Sequence, residues 1–322
     1  MAAIGETGNF TVNEPQKLIK NVDSENASNN NNFCNQFDNV DTNEASVFDM
    51  ALKCVGTINV KTQCDETDCC IEDSVFLDEH RMVVTDSYNK CVKLVDIQTG
   101  SVLAKCQLDS EPFASTSISK DCVAITQPTK NKIQFISVNG HEMSKMNHIL
   151  VNGICGGLYY KDGKLAVSYR SPAKVEILDM NGGTLFTICG PGKNQDMFGL
   201  PGCVLLDNDR DEVIVSDYQR NKVVKVDFDG QILAWYEHAD LKNPSGLTIT
   251  KDGTIFACSE TTHGLHAISR DFDRKKEILT NDKILQFPGI ISYSSADNKL
   301  YINNNIEGKH GNTILIYQFV KT

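Results

Sequence analysis

The sequence predicts an all-β protein: a six-bladed β-propeller, closed by a strand at residues 57–61 and preceded by a disordered tail. Three observations carry this. From about residue 54 onward, short runs rich in Val, Ile, Thr and Tyr are separated by Gly, Asp, Asn and Lys turns, which is strand-and-turn chemistry. No stretch of about 12 residues there holds a helical period. One pattern then recurs six times at spacings of 41, 42, 48, 42 and 45 residues, the period of a blade rather than of a single hairpin.

The copies read VVTDSYNKCVKLVD, VAITQPTKNKIQFIS, LAVSYRSPAKVEILD, IVSDYQRNKVVKVD, FACSETTHGLHAIS and YINNNIEGKHGNTILIY. Their aligned anchors are Asp86, Gln127, Tyr169, Asp217, Ser259 and Asn304. Ten residues past the anchor, the first five copies place Asp96, Ser137, Asp179, Asp227 and Ser269. Upstream, a Gly opens another strand in CGGLYYKDGKL, LPGCVLLDNDRDEV, NPSGLTITKDGTI and FPGIISYSSADNKL. Downstream, VNGHEMSK, MNGGTLFT and FDGQILAW supply a Gly turn into a fourth strand. Each unit is therefore four short antiparallel strands.

The ends complete the scheme. GTINVKTQC (56–64) has no blade of its own, so Thr57–Lys61 is expected to pair beside ILIYQF (314–319) and close the ring. Closure removes two exposed sheet edges. Residues 1–52 form the predicted tail and 53–322 the propeller. The tail is Asn-rich, and its composition cannot bury enough apolar surface to offset chain entropy.

Charge and cysteine usage narrow the classes of function. The net charge is −11, of which −6 falls in residues 1–52 and −5 in the rest. A mildly acidic body disfavours broad nucleic-acid binding, and DNA is not an expected partner. The twelve cysteines fall at no framework spacing, and the N-terminus MAAIGETGNF has neither basic nor apolar signal regions. With no apolar run of about 18 residues, no membrane partner is expected. These features indicate a reducing, cytoplasmic setting.

The repeats resemble the NHL-repeat family, most clearly over 200–238, LPGCVLLDNDRDEVIVSDYQRNKVVKVDFDGQILAWYEH. More narrowly, INVKTQCDETDCCIEDSVFLDEHRMVVTDSYNKCVKLVD with the closing ILIYQF looks like the C-terminal propeller of tripartite-motif-like proteins. That resemblance covers about residues 54–322. It implies a propeller that recognises protein or RNA, carried in the family behind a RING domain, B-boxes and a coiled coil. Here no Cys-x-x-Cys pair stands at zinc spacing, so ubiquitin-ligase activity is not carried over, and the chain reads as a binding module rather than an enzyme.

Candidate binding residues come from the turns between the second and third strands. Tyr88, Lys90, Lys130, Lys132, Tyr169, Arg170, Lys174, Tyr218, Arg220, Lys222 and Lys309 are expected to ring one face. Arg and Tyr are interface residue types, and a basic rim would suit an acidic peptide or a single RNA strand stacking on Tyr. The bland alternative is that each base pairs with an acid of its own turn. A protein is the expected partner, with RNA second. No cofactor is expected. A calcium-dependent propeller hydrolase is the alternative of a different class, with Glu72, Asp73, Glu111, Asn152 and Asn243 as candidate channel oxygens. The patch CDETDCC (64–70) has no recognised zinc spacing, and GPGKN (190–194) lacks the spacing of a phosphate-binding loop.

Overall fold

The computed structural model describes residues 46–189, 197–207, 209–280, 282–304 and 309–321, with the side chains of 309 and 310 excepted. The expected tail disorder over 1–45 and the GPGKN loop lie outside the described residues.

Six four-stranded antiparallel sheets make six blades. Blade 1 comprises Ile71–Phe76, Arg81–Asp86, Cys91–Asp96 and Ser101–Gln107, named A to D from the first strand to the last. Blades 2 to 5 repeat this order over 115–150, 155–188, 201–236 and 244–279. Blade 6 takes strands A to C from Pro288–Ser294, Lys299–Asn304 and Thr313–Lys321, and its strand D from Met50–Asn59. The A strands touch one another in a closed circle. One apolar cluster fills each gap between neighbouring blades, as with Val84, Val95, Tyr301 and Ile314 between blades 1 and 6. Among the described residues no helix is long and apolar enough to cross a membrane.

Closure by the N-terminal strand is present, but its extent differs from expectation. The strand is Met50–Asn59, not 57–61, and its register pairs Thr57 with Leu315 and Met50 with Lys321. It thus crosses the 52/53 boundary set by composition. The ladder is irregular between Cys54 and Gly56, which interrupts the alternation a strand shows in sequence. Lys61 is outside the ladder, while the Val60 N–H donates to the Asn312 carbonyl at 2.9 Å. Just before the strand, Phe48 is buried between blades 5 and 6, with Arg274 4.5 Å from its ring centroid.

The recurring small hydroxyl and anchor each perform a structural task. The residue before the anchor links its blade to the next. Thr85 Oγ1 donates to Phe113 O (2.8 Å), Thr126 Oγ1 to Gly156 O (2.9 Å), Ser168 Oγ to Gly202 O (2.6 Å) and Ser216 Oγ to Ser245 O (2.8 Å). In blade 5, Cys258 stands at that position, and Ser245 Oγ takes over by donating to Pro288 O (2.9 Å). Asn303 Nδ2 donates to Ile71 O (2.6 Å), which returns the circle to blade 1. The anchor then pins the connection leading into its own blade. Asp86 accepts from Cys70 N–H, Asp217 from Gly199 and Leu200 N–H, and Asn304 from Gln286 N–H. The second Asp holds the next turn, as Asp96 does by accepting from Gln98 and Thr99 N–H.

Candidate functional site at the channel mouth

Because A strands run away from, and B strands toward, the same side, the B–C turns and the connections between blades share one face. The six A strands surround a channel opening on it. The mouth is a cavity of about 340 Å³. Its apolar wall includes Ile71, Phe113, Leu158, Leu200, Leu247 and Ile290. Gly157 and Gly246 let neighbouring A strands approach there. A Cβ on Gly157 would sit 2.3 Å from Gly202 O, and one on Gly246 2.8 Å from Ile290 Cα.

Among the described residues, five ionisable side chains other than the Cys203 thiol reach this mouth: Glu72 and Asp73 from blade 1, Arg170 from blade 3, Tyr218 from blade 4 and Glu260 from blade 5. Arg170 lies with its guanidinium 4.6 Å from the centroid of the Phe113 ring. Asp73 accepts from Ser115 N–H and Oγ and from Ser74 N–H. Burial nevertheless outweighs these hydrogen bonds and, with the Glu72 charge, pushes its carboxyl up to about 7. Burial also raises Glu260, whose nearest polar partner is Tyr218 Oη at 3.5 Å, a hydrogen bond at the limit of length; the Glu72 charge adds to the shift. Glu72 accepts from Ser87 Oγ at 2.9 Å and from Cys70 Sγ at 3.4 Å.

The expected binding residues divide into groups. Arg170 and Tyr218 are at the mouth. Tyr88 is 52% exposed on the rim, and Lys130 is exposed there too. Most other bases are paired: Lys90 with Glu111 (2.9 Å), Lys132 with Asp109 (3.0 Å), Lys174 with Glu176 (2.5 Å) and Lys222 with Glu237 (2.7 Å). Arg220 lies 3.9 Å from Asp217 and donates to the Met197 carbonyl. The acids cancel the rim's positive field, so a continuous basic ring does not form. Tyr169 is fully buried between blades 2 and 3, with Lys174 Nζ over its ring, and presents nothing to a partner. Its anchor position points between blades, as Asp86 and Asp217 do. The Lys309 side chain lies outside the described residues.

The candidate channel oxygens do not converge. Glu72 and Asp73 reach the mouth, but Glu111 is on the rim with Lys90, Asn152 is exposed, and Asn243 Nδ2 donates to Tyr218 O at 3.3 Å. Sequence reasoning did not select Phe113 or Glu260. Phe113 aligns with Glu72, and Glu260 follows its anchor as Tyr218 does, so the repeat itself places both at the mouth.

The cysteine patch folds over the junction of blades 1 and 6. Asp65, Cys69 and Asp86 bring their ligand atoms within 4.8 Å of one another, close enough to hold a small cation. A cation from the chain itself lies among them. Lys93 Nζ is 2.7 Å from Asp65 Oδ2, 2.7 Å from Asp86 Oδ2, 3.1 Å from Val60 O and 3.1 Å from Cys69 Sγ. Lys93 and both carboxylate side chains are fully buried. Burial disfavours the charged Lys93, but Asp65 and Asp86 hold its pKa above the ordinary value. Burial likewise opposes the Asp65 carboxylate, yet Lys93, the Thr62 N–H and Lys105 hold it well below the usual range. Burial and the Asp86 charge push the Cys69 thiol up to about 12. This is an internal ion cluster that fastens the loop after the closing strand.

No family model and no curated protein matches the chain. Solved structures do. The chain is similar to virginiamycin B lyase from Staphylococcus aureus, at TM-score 0.59 and 14% identity, covering 84% of this chain and 100% of that one. It is similar to a streptogramin B lyase structure, at TM-score 0.61 and 12% identity, covering 86% and 100%. It is also similar to the WD40 β-propeller domain of Doa1, at TM-score 0.57 and 13% identity, covering 83% and 97%. At such identities the likeness shows the fold alone. The chain is a six-bladed β-propeller.

Proposed function

We propose that the protein is a binding module that captures a protein partner on the face carrying the B–C turns, with the channel mouth as the anchoring pocket. One observation carries this reading: an apolar cavity of about 340 Å³ opens there, bordered by Phe113, Arg170 and Tyr218. Aromatic and Arg side chains around a concave apolar centre are the composition of interface hot spots. The NHL-like repeats support the same reading, since in tripartite-motif-like proteins this propeller selects partners or substrates. The role is then partner recognition within a ubiquitin-ligase-like system in the cytoplasm.

The paired rim bases change which substitutions test the idea. Arg220 and Lys222 have intramolecular partners, whereas Arg170 has none beyond the Phe113 ring among the described residues. Phe113→Ala with Arg170→Glu is expected to abolish partner capture in proximity labelling and affinity mass spectrometry while leaving a cooperative melt. An unchanged partner profile in a folded double variant contradicts the proposal.

A further inference from the structure

Acids on the recognition face follow two patterns. Around the rim they have bases: Asp109, Glu111 and Glu237 face Lys132, Lys90 and Lys222, and the buried Glu176 and Asp217 face Lys174 and Arg220. Deeper, at the junction of blades 1 and 6, Asp65 and Asp86 share Lys93. At the mouth, Glu72, Asp73 and Glu260 border one cavity, and no base forms an ion pair with any of them among the described residues. Among the described residues the one cation in the lining is Arg170, which comes from blade 3 and is laid on Phe113. Glu72 and Asp73 come from blade 1 and Glu260 from blade 5, the two blades that flank blade 6.

From this charge pattern, we infer that the channel mouth takes a basic side chain, Lys or Arg, of a partner segment, with Glu72 and Glu260 meeting its charge and the apolar wall covering its methylenes. This rests on the partner-binding reading above and gives that partner a chemistry. The cavity suits such an occupant. Long basic side chains bury an apolar stem while keeping the charged head on polar groups. Leu247, Ile290 and Ile71 supply the apolar wall. The carboxylates lie near enough to repel one another: the Glu72 charge raises both Asp73 and Glu260. An entering ammonium or guanidinium relieves that repulsion, whereas an acidic side chain adds to it. An acidic partner segment, which a basic rim would favour, is therefore disfavoured at the centre of the face.

Saturation-transfer NMR with small probes tests this without a known partner. The probes are N-acetyl-arginine amide, N-acetyl-lysine amide, neutral N-acetyl-glutamine amide and N-acetyl-glutamate amide. The full chain is expected to bind the cationic probes at least about tenfold more tightly than the neutral one, with no binding of the acidic probe. In the Glu72→Gln/Glu260→Gln double variant this preference disappears. Equal binding of all probes, or an unchanged preference in the variant, overturns the inference. If the double variant does not fold, the comparison among probes on the wild-type chain still decides. Partner capture by Phe113→Ala/Arg170→Glu reports on the broader reading separately. Loss of capture there, with no cation preference in NMR, leaves the face as a binding site and removes only the basic-side-chain assignment.

Discussion

Blade 1 contributes to two sets of carboxylates with opposite fates. Asp86, at the end of its B strand, joins Asp65 around the Lys93 ammonium, and all three side chains are sealed from solvent. Glu72 and Asp73, at the start of its A strand, border an open cavity with Glu260 and have no ion-pair partner among the described residues. The first set spends its charge on architecture: it ties the loop after the closing strand to the centre of blade 1. The second keeps its charge for what enters the channel. Burying acids is costly in either place, so the missing partner at the mouth marks a site under a different demand.

Truncation through residue 59 removes strand D of blade 6 and the chain leading to Val60 and Asp65. Relative to truncation through residue 45, it is expected to lose at least about 5 kcal/mol, the scale of a domain's whole net stability. Equal denaturation midpoints for the two truncations would show that closure carries little. Next, Lys93→Met leaves the buried Asp86 without its ion-pair partner and Asp65 with Lys105 alone, and is expected to lose about 3–5 kcal/mol in urea unfolding. Glu72→Gln, tested alongside, is expected to stay within about 1 kcal/mol. Similar losses for both would erase the distinction between the sites.

Acidity offers a subtler test. His266 is fully buried, bonded through Nδ1 to Tyr236 Oη at 2.8 Å, and burial lowers its pKa to about 4. A depressed histidine favours the fold while neutral. Its contribution is complete above the unfolded pKa of about 6.5 and is lost as pH falls from there toward 4, by at most about 3 kcal/mol. Asp73 behaves oppositely. Its raised folded pKa makes its contribution complete below about 3.8 and lost as pH rises through about 7. Stability measured from pH 4 to 8 should thus lose its acid limb in His266→Gln and its neutral-side decline in Asp73→Asn. A variant profile parallel to the wild type contradicts the corresponding assignment. The smallest effect belongs to the ring of hydroxyls. Thr85→Val keeps the shape, removes the bond to Phe113 O, and is expected to cost about 0.5–1.5 kcal/mol by chemical denaturation. A change below that range would make the ring incidental.

Most of the fold was legible because a blade repeats. The hydroxyl-anchor pair of blades 1 to 4, the Gly of the A strands in blades 3 to 6 and the turn Asp after the C strands of blades 1, 3 and 4 recur, and each has a backbone duty. The closing strand was shortened in sequence because the irregularity at Cys54 and Gly56 hides its alternation. The site was less legible. Residue type suggested a basic ring, but it does not show that Glu237, Glu111 and Asp109 reach back to neutralise it. Tyr169 was readable as buried, since its alignment with Asp86 and Asp217 places it at an inward anchor. Lys93 had no such signal: it reads as the polar residue of an ordinary strand, and its partners lie 28 and 7 residues away.

Carboxyl footprinting tests the central contrast most directly. Native protein is treated with a carbodiimide and glycine ethyl ester, with and without N-acetyl-arginine amide, and modification is read by peptide mass spectrometry. Glu72 and Glu260 should label readily and be protected by the cationic probe, but not by its neutral glutamine analogue, while Asp65 and Asp86 stay unlabelled until the protein unfolds. Labelling of Asp65 and Asp86 at the rate of the mouth acids, or a mouth that the cationic probe does not protect, would contradict the account.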